Sequence, residues 1–406
     1  MKFTIFFVTL ILAAGCSSNA QDFEPETIQQ HIKTLADDSF QGRGTGTPGE
    51  KAAAEYIATQ FKKLGLEPKG DDGSFNQSFP FKHGVHGEGE AGTSVNVVGF
   101  LDNGAEHTII IGAHYDHLGI DGQASSLDAN PANKIHNGAD DNASGVAGVI
   151  ELARYFKTND VKEQNNFVFV CFSGEELGLL GSKHFAETAV DASTVNYMIN
   201  MDMIGRLDTQ SKTVIVYGTG TSPEFEPLLK KLESETLKIK TDSSGTGPSD
   251  HTSFYLKNVP VLHFFTGAHG DYHKPSDDWE KINLEGEVQV LNLIARVIDS
   301  LDNRPKLSFL TTRTKSQAGR TPFKVTMGIM PSYASQEEGL KVDGVTEGRP
   351  AHKAGIQTGD LIVQMGDLPV KDIQQYMEAL GKFEKGQSIP VKVKRGGELV
   401  ELTVTF

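Results

Sequence analysis

The stretch Ala143-Ser-Gly-Val-Ala-Gly-Val-Ile-Glu-Leu-Ala-Arg-Tyr-Phe156, followed by Asn166-Asn-Phe-Val-Phe-Val-Cys-Phe172, decides the fold class. In its first part Val149, Leu152 and Phe156 recur at the spacing of one helix face, which predicts an amphipathic helix. The second part is a short apolar run rich in valine and phenylalanine, which predicts a buried strand. A helix followed by a buried strand is typical of α/β proteins.

The same alternation extends on both sides of this stretch. Strands are predicted at 95–100, 108–111, 166–172, 195–201, 213–217 and 259–265, and helices at 143–156, 177–186, 223–232 and 288–301. Two further helices are predicted upstream, one at 24–35 and one that stops at Gly65, whereas residues 66–95 show no clear period. We therefore expect an α/β domain whose mixed sheet is flanked by helices on both faces.

Length and charge limit the classes of protein to which the chain can belong. With 406 residues it is long enough for two domains. Its net charge of -15 argues against a nucleic-acid partner, because phosphate binding requires a basic surface. The glycine-rich loop Gln41–Gly49 lacks the ending of a P-loop, which argues against a phosphate cradle. The two cysteines indicate no disulfide framework, and Cys171, within an apolar run, is predicted to be buried.

The N-terminal segment has the pattern of a targeting signal. Lys2 is followed by an apolar run from Phe3 to Leu12, which is too short to span a bilayer as a helix. The sequence Leu12-Ala-Ala-Gly-Cys16 then resembles the lipobox of bacterial lipoproteins, which implies cleavage before Cys16 and lipidation of that residue. We therefore expect a signal peptide at 1–15, a tether at 16–24 and an extracytoplasmic protein anchored by lipid to a bacterial membrane, on its periplasmic or cell-surface side. A plain secretory signal with an incidental cysteine is the alternative.

Polar residues that are suited to bind metal stand next to the predicted strands and helices. All but one lie just beyond a strand, and the last precedes a helix: His114, Glu175, Glu176, Asp202 and His273, then Asp141. The carboxyl ends of strands in an open α/β sheet form its binding sites, so these side chains are expected to lie together. Imidazole and carboxylate groups are zinc ligands, although each short motif alone is also compatible with a turn, a helix cap or a solvated surface.

The order of these motifs along residues 25–302 resembles the M28 family of zinc peptidases. The resemblance is carried by His114-x-Asp116, Gly138-x-x-Asp141, Glu175-Glu176, Asp202, Ser249-Asp-His251 and Tyr272-His273. That family includes bacterial aminopeptidases and the glutaminyl cyclases. The resemblance implies a metallopeptidase that releases N-terminal residues from peptide substrates.

In the aminopeptidases of that family two zinc ions share one aspartate, and the resemblance implies that Asp141 is this bridge. His114 and Asp202 would complete the site of one ion, and Glu176 and His273 that of the other. Two Zn2+ ions per chain are therefore the expected cofactors.

Three residues carry expected roles in catalysis. The resemblance implies that Glu175 is the general base, which activates water between the two metals and returns the proton to the leaving amine. It also implies that Tyr272 donates a hydrogen bond to the developing oxyanion. Asp116 is expected to hold the second ring nitrogen of a ligand histidine, although the sequence does not indicate which one.

The C-terminal part is predicted to be a separate, small, β-rich domain. Residues 303–320 are polar and basic without a period, which predicts a linker, and residues 321–406 follow it. The sequence Pro350-Ala-x-x-Ala-Gly-x-x-x-Gly-Asp360 resembles bacterial-type PDZ domains, in which Gly328-Ile329 would stand for the carboxylate-binding loop. A groove between the Gly328 strand and the Gln374 helix would then take an extended peptide or the C-terminus of a protein. An unrelated β-rich cap is the alternative.

Three other functions are compatible with these residues. A glutaminyl-cyclase-like transferase would use the same fold with one zinc ion, and a metal count separates it from a peptidase with two. A carboxypeptidase would need a basic residue that holds the carboxylate of its substrate. A non-catalytic, PDZ-containing peptide-binding protein would show no turnover and would not be expected to keep Glu175 beside a full ligand set.

Overall fold

The computed structural model describes residues 23–82, 90–312, 325–331, 339–345, 348–371 and 373–406. The predicted signal peptide, Cys16 and residues 313–324 lie outside the described residues. In the described part of the chain, no helix is both long and apolar enough to cross a membrane.

Nine helices are present among the described residues. They are α1 (Pro25–Leu35), α2 (Pro48–Lys63), α3 (Gly145–Thr158), α4 (Leu180–Thr188), α5 (Phe225–Leu232), α6 (His251–Tyr255), α7 (Leu284–Asp302), α8 (Pro350–Ala354) and α9 (Ile373–Leu380). Side chains cap the longer ones: Thr47 accepts a hydrogen bond from the N–H of Glu50 at the start of α2, and Asn283 accepts one from Gly286 at the start of α7.

Eleven strands precede the C-terminal domain. They are β1 (Glu67–Pro68), β2 (Asn76–Lys82), β3 (Ala91–Leu101), β4 (His107–His114), β5 (Gly119–Ile120), β6 (Ile135–His136), β7 (Asn165–Phe172), β8 (Val195–Met201), β9 (Thr213–Tyr217), β10 (Lys238–Thr241) and β11 (Val261–Phe265). Nine of them form one sheet in the order β1-β3-β7-β4-β8-β11-β9-β10, with β2 also paired to β3, and β5 pairs with β6 in a separate ribbon.

The centre of this sheet is parallel and its flanks are antiparallel. Strands β7, β4, β8 and β11 all run in one direction, whereas β3 and β9 run against their neighbours β7 and β11. The carboxyl ends of the four central strands therefore meet at one edge of the sheet. The expected mixed α/β sheet is confirmed.

Helices cover both faces of the sheet because the side chains of its strands alternate between two apolar layers. In β4, Ile109 and Ile111 belong to the layer formed with α1, α2, α3, α5 and α7, and Ile110 belongs to the layer formed with α4 and α6. Cys171 of β7 is fully buried in the first layer, as predicted, and burial raises the pKa of its thiol.

The segment 66–95, which showed no period, contains a strand that the sequence did not reveal. Strand β2 pairs with β3 over its whole length, and its side chains alternate between buried and exposed positions. Phe79 and Phe81 supply the buried side and pack with Leu177. The exposed side carries Pro80, which interrupts a strand pattern and is tolerated because it lies on a peripheral strand.

The predicted linker begins inside a segment that packs on the first domain. The N–H of Leu307 donates to Asn196 Oδ1 and the N–H of Leu310 donates to the carbonyl of Thr221, each at 2.8 Å. Further along, the Thr312 hydroxyl lies 3.1 Å from that of Tyr255. Residues 307–312 therefore pack on the first domain, and the sequence concealed these contacts because single backbone hydrogen bonds leave no periodic pattern.

The C-terminal domain has its own sheet and its own core. Its strands are β12 (Ile329–Pro331), β13 (Leu340–Val345), β14 (Leu361–Met365), β15 (Leu368–Pro369), β16 (Ser388–Arg395) and β17 (Glu398–Thr405). They pair in the order β12-β13-β14-β16-β17, with β15 also paired to β14. The core includes Met327, Ile362, Val391 and Val404, which are fully buried.

Candidate metal centre

The parallel strands bring three of the predicted site residues to one edge of the sheet. His114 is the last residue of β4, and Asp202 directly follows β8, its neighbour. Glu176 lies four residues beyond β7, on the other side of β4. Because these strands end together, residues far apart in the sequence converge.

A first group of three ligand atoms forms around His114. Its Nε2 lies 3.4 Å from Asp141 Oδ1 and 3.3 Å from Asp202 Oδ1. The imidazole is almost completely buried, so its orientation is set by the surrounding protein.

A second group forms on the other side of Asp141. Its second oxygen, Oδ2, lies 3.3 Å from His273 Nε2, and the same nitrogen lies 3.2 Å from Glu176 Oε2. Asp141 therefore presents one oxygen to each group. Although burial alone would raise it, the pKa of the Asp141 carboxyl is held well below its usual range by His114, His117 and His273.

These distances fit tetrahedral zinc. Bonds of about 2.0–2.1 Å to nitrogen and oxygen give a tetrahedron with edges of about 3.3–3.4 Å. The four ligand-to-ligand distances run from 3.2 to 3.4 Å, and each group consists of one imidazole and two carboxylates. The residues present thus fit two zinc ions that share Asp141, each with room for one further ligand.

Asp116 is joined to both His114 and Glu175. Its backbone carbonyl lies 3.1 Å from His114 Nδ1, and its carboxylate oxygen Oδ1 is 3.7 Å from the same nitrogen. Oδ1 also accepts a hydrogen bond from the N–H of Glu175 at 3.1 Å, and Oδ2 accepts one from the Thr45 hydroxyl. His114 is therefore a ligand histidine whose second ring nitrogen lies near Asp116, and the contact at hydrogen-bond distance is with the backbone carbonyl of Asp116.

His117 is a residue of the site that the sequence analysis missed. It is fully buried, and its Nδ1 lies 2.8 Å from Glu176 Oε1 and 3.8 Å from Asp141 Oδ2. With Asp141 and Glu176 it forms a second arrangement of three potential ligands. The sequence signal was present, since His117 directly follows Asp116 in the loop after β4.

Arg43, from the glycine-rich loop, holds two of the site loops in place. Its guanidinium is almost completely buried and donates to the backbone carbonyls of Tyr115, Leu35, Asn137 and Gly138. The carbonyl of Tyr115 is next to His114, those of Asn137 and Gly138 precede the Asp141 turn, and that of Leu35 is at the end of α1. Burial lowers the pKa of Arg43 to about 10, opposed by the nearby Asp141 and Asp116 carboxylates, so the residue stays cationic at neutral pH.

Asp277 connects the turn of Asp141 with the loop of His273. Its Oδ2 accepts hydrogen bonds from the N–H groups of Asp140 and Asp141 at 3.0 and 3.1 Å. Asp140 in turn accepts from Gly205 N–H at 2.7 Å and lies 3.1 Å from His269 Nε2. The Asp141–Asn142 peptide bond within this turn is cis.

Glu175 and Tyr272 line the pocket beside the two groups. Burial raises the pKa of the Glu175 carboxyl well above its usual range, and the carboxylates of Asp250 and Asp202 add to this rise. The Tyr272 ring stacks on His273 with centroids 3.9 Å apart. Glu175 makes no ligand-like contact in either group, so the structure separates it from the residues that would hold metal.

Part of the pocket lining is an apolar cluster. Met203, Tyr217 and Phe265 form it, with Ala268 packed against them. No lysine or arginine is among the described residues that line the pocket. Ser249 also lines the pocket, whereas its neighbours Asp250 and His251 are fully buried and are not among the lining residues.

Comparison with known proteins agrees with the motifs. Peptidase family M28 matches residues 96–298, which is half of the chain, and the PDZ domain family matches residues 325–406. The alkaline phosphatase isozyme conversion protein of Escherichia coli is 32% identical over 205 residues, 48% of this chain and 55% of that protein. Aminopeptidase YwaD of Bacillus subtilis is 28% identical over 243 residues, 56% of this chain and 49% of that protein.

Solved structures share the fold of the first domain. A Zn-dependent exopeptidase from Parabacteroides distasonis has a TM-score of 0.56 at 19% identity and covers 70% of this chain and 99% of its own. The glutaminyl cyclase of Porphyromonas gingivalis has a TM-score of 0.55 at 17% identity and covers 68% of this chain and 98% of its own. At such identities the likeness concerns the fold alone.

The chain spans about half the length of the curated relatives named above. The family match covers the strands and loops that carry every group of the metal centre. The chain belongs to peptidase family M28.

Proposed function

We propose that the protein is an aminopeptidase that uses two zinc ions bridged by Asp141. The proposal is based on the position of the Asp141 carboxylate between the two ligand groups. Its Oδ1 lies 3.4 Å from His114 Nε2, and its Oδ2 lies 3.3 Å from His273 Nε2. The name of a relative in sequence, aminopeptidase YwaD of Bacillus subtilis, supports it.

His114 and Asp202 would hold one ion, and Glu176 and His273 the other. Zinc bound there supplies a Lewis acid that polarises a carbonyl group and lowers the pKa of water. Glu175 takes the proton of the attacking water on its carboxylate and returns it to the leaving amine. Tyr272, at the rim of the pocket, donates its hydroxyl hydrogen to the oxygen of the substrate carbonyl as negative charge develops there.

The lining of the pocket supports an aminopeptidase over a carboxypeptidase. A carboxypeptidase needs a cation for the carboxylate of its substrate, and the described lining residues include no lysine or arginine. The carboxylates there favour the α-ammonium group of a peptide instead. Met203, Tyr217 and Phe265 favour an apolar side chain at the cleaved position.

The C-terminal domain would hold a second part of a substrate or another protein. PDZ domains bind peptide C-termini, and the segment expected to form the carboxylate-binding loop contains Gly328 with φ of 71°. The side chain of Arg349 packs against this glycine, where a Cβ would lie 2.3 Å from its Cβ. A glycine is therefore required in this loop, as its proposed role in peptide binding also demands.

The location is also part of the proposal. The lipobox-like sequence that ends at Cys16 supports lipid anchoring on the outer side of a bacterial membrane. If Cys16→Ser leaves the protein in the membrane fraction of a bacterial host to the same extent as the unchanged chain, this anchoring is excluded.

A metal count combined with a peptide panel tests the catalytic proposal. Zinc per chain is measured on the purified protein, and peptides are offered with a free or acetylated N-terminus and a free or amidated C-terminus. We expect two zinc ions and cleavage that requires only the free N-terminus. Cleavage that requires only the free C-terminus would establish a carboxypeptidase, and one zinc ion with ammonia release from N-terminal glutamine would establish a cyclase. A zinc-loaded protein that turns over no peptide would favour a binding protein.

A further inference from the structure

The two oxygens of the Glu176 carboxylate have different partners. Oε2 lies 3.2 Å from His273 Nε2, at the edge length of a zinc tetrahedron, whereas Oε1 lies 2.8 Å from His117 Nδ1. A separation of 2.8 Å is that of a charge-assisted hydrogen bond and is too short for two atoms that bind the same zinc ion. The carboxylate is therefore held from both sides, by different kinds of contact.

We propose that His117 is a positioning residue for the second zinc ion. Its Nδ1–H donates to Glu176 Oε1 and so keeps Oε2 turned toward His273 and Asp141. This inference rests on the proposed zinc centre and goes beyond it, because it gives a role to a histidine outside the ligand set that the family resemblance implied.

The distances argue against His117 as a ligand. His117 Nδ1 is 3.8 Å from Asp141 Oδ2, whereas His273 Nε2 is 3.3 Å from the same oxygen. The ligand edge of about 3.3–3.4 Å expected for zinc is matched by His273 alone. A histidine that donates to a carboxylate through one ring nitrogen can bind metal only through the other. In His117 the nitrogen near Asp141 and Glu176 is Nδ1, which is the donor to Glu176. The other nitrogen, Nε2, has no hydrogen-bond partner among the described residues.

The packing around His117 fixes its ring in this orientation. The ring is fully buried, and Gly138 lies against it with φ of 55°. A Cβ at Gly138 would lie 2.5 Å from the Cγ of His117, so any larger residue there would push the ring away. The glycine three residues before Asp141 is thus needed for close packing against the histidine that positions Glu176.

Asparagine and leucine provide a matched pair of variants. The side chains have nearly the same shape, and the amide nitrogen of asparagine is attached to Cγ, as Nδ1 is in histidine. His117→Asn therefore keeps the donor close to Glu176, and His117→Leu removes it. Both variants lose the rest of the ring, so any effect of the lost volume is common to the pair.

The test is the affinity of each variant for zinc, measured by competition with a chelator, with the thermal unfolding of the apo-proteins as a check on folding. We expect His117→Leu to bind one of its two ions about 10–100-fold more weakly, the usual cost of removing such a partner. His117→Asn should lie within a few-fold of the unchanged protein, and the other ion should be unaffected in both variants.

Other results of the zinc titrations would contradict the proposed role of His117. Equal weakening in both variants would overturn the donor role and support His117 as a ligand, and unchanged affinity in His117→Leu would overturn the inference altogether. If His117→Leu fails to fold, His117→Met, which has a larger side chain and also lacks an N–H donor, replaces it with the same expectation. Failure of the unchanged protein to bind two zinc ions would instead contradict the proposed function.

Discussion

At the scale of single residues, the chemistry of the centre depends on where each carboxylate is placed. Asp141 faces both groups, Glu176 faces one, and Glu175 faces the pocket. Three neighbouring carboxylates can therefore carry three distinct tasks. The predicted roles of these residues stay predictions until metal and rate are measured on variants.

Replacement of the shared aspartate should affect both ions. We expect Asp141→Asn to lower the affinity for each zinc ion, because each loses a charged ligand. His114→Ala should lower the affinity for one ion and leave the other nearly unchanged, since His114 contacts only the group with Asp202. Zinc titration of both variants checks this. Two tightly bound ions in Asp141→Asn would show that Asp141 is not the bridge.

Replacement of Glu175 and of Glu176 should have different effects on zinc binding and on kcat. Glu175→Gln should keep both zinc ions and lose several orders of magnitude in kcat, because proton transfer from the attacking water is removed. Glu176→Gln should lose one ion together with activity, because a charged ligand is lost. Zinc content and kcat are measured on each variant. The reverse pattern, with zinc lost only from Glu175→Gln, would exchange the two roles.

At the scale of elements, the loops of the site are held by buried polar side chains from distant segments. Arg43, from the loop before α2, binds carbonyls next to His114 and Asp141. Asp277, from the loop before α7, binds the N–H of Asp141 itself. Buried polar contacts of this kind fix a loop, because breaking one leaves an unsatisfied group.

In the C-terminal domain, an ion pair ties the turn after α8 to β16. Asp360 is almost completely buried and accepts two hydrogen bonds from Arg395, each at 2.7 Å, and one from the N–H of Gln357. Burial would raise the pKa of Asp360, but Arg395 lowers it below the usual range. This carboxylate therefore stabilises the folded domain only while it is ionised.

The direction of the pKa shift of Asp360 determines how its contribution to stability depends on pH. Because the pKa of Asp360 is lower in the folded state, its stabilisation is complete above the unfolded pKa of about 3.9 and is lost as the pH falls below it. We expect Asp360→Asn to lower the free energy of unfolding by about 1–3 kcal/mol at pH 7, with a smaller difference at pH 3. Urea unfolding of residues 321–406 measures it, with the exposed Glu401→Gln as control. A difference that does not change with pH would contradict the assignment.

At the scale of the whole molecule, the first domain contains the entire proposed zinc centre. Every ligand group lies between residues 114 and 273, and the packing of this domain continues to Thr312. The C-terminal domain has a separate apolar core. The two parts can therefore be tested apart.

A chain that ends after Thr312 should fold and bind two zinc ions. We expect it to hydrolyse a small aminoacyl reporter within a few-fold of the full chain, because none of the C-terminal residues that the structure describes belongs to the ligand groups. Long peptides should be cleaved less efficiently if the PDZ domain raises their effective concentration. The full-length protein is the control. A loss of about a hundredfold on the small reporter, in a soluble and zinc-loaded truncation, would mean that the C-terminal domain shapes the active site.

A shorter truncation tests whether residues 304–312 stabilise the first domain. A chain that ends at Asn303 loses the hydrogen bonds of Leu307, Leu310 and Thr312 to the first domain, and it exposes surface that Leu307 covers. It should therefore unfold at a lower temperature than the chain that ends after Thr312. Equal unfolding temperatures would show that residues 304–312 do not stabilise the first domain.

Much of the fold could be predicted because its strongest signals are local. The buried strand over 195–201 and the helix that became α7 are visible as apolar runs and helical periodicity, and those patterns depend only on neighbours in the chain. Strand β2 and residues 303–312 escaped prediction. Their order depends on contacts with other segments, those of β2 with β3 and those of Leu307 with Asn196, and their own sequences are largely polar and interrupted by proline.

The sequence by itself determined the chemistry of the centre, because ligand type is a property of each side chain, and the position of a ligand after a strand is visible in the order of residues. His114, Asp202 and Glu176 were found in that way. Only the tertiary structure decided which side chains of the site are in contact with each other. The contact of His117 with Glu176, the hydrogen bonds of Arg43 and the attachment of Asp141 to Asp277 join segments that are far apart in the chain. Such contacts depend on the order and direction of strands in the sheet, and no local pattern encodes that order.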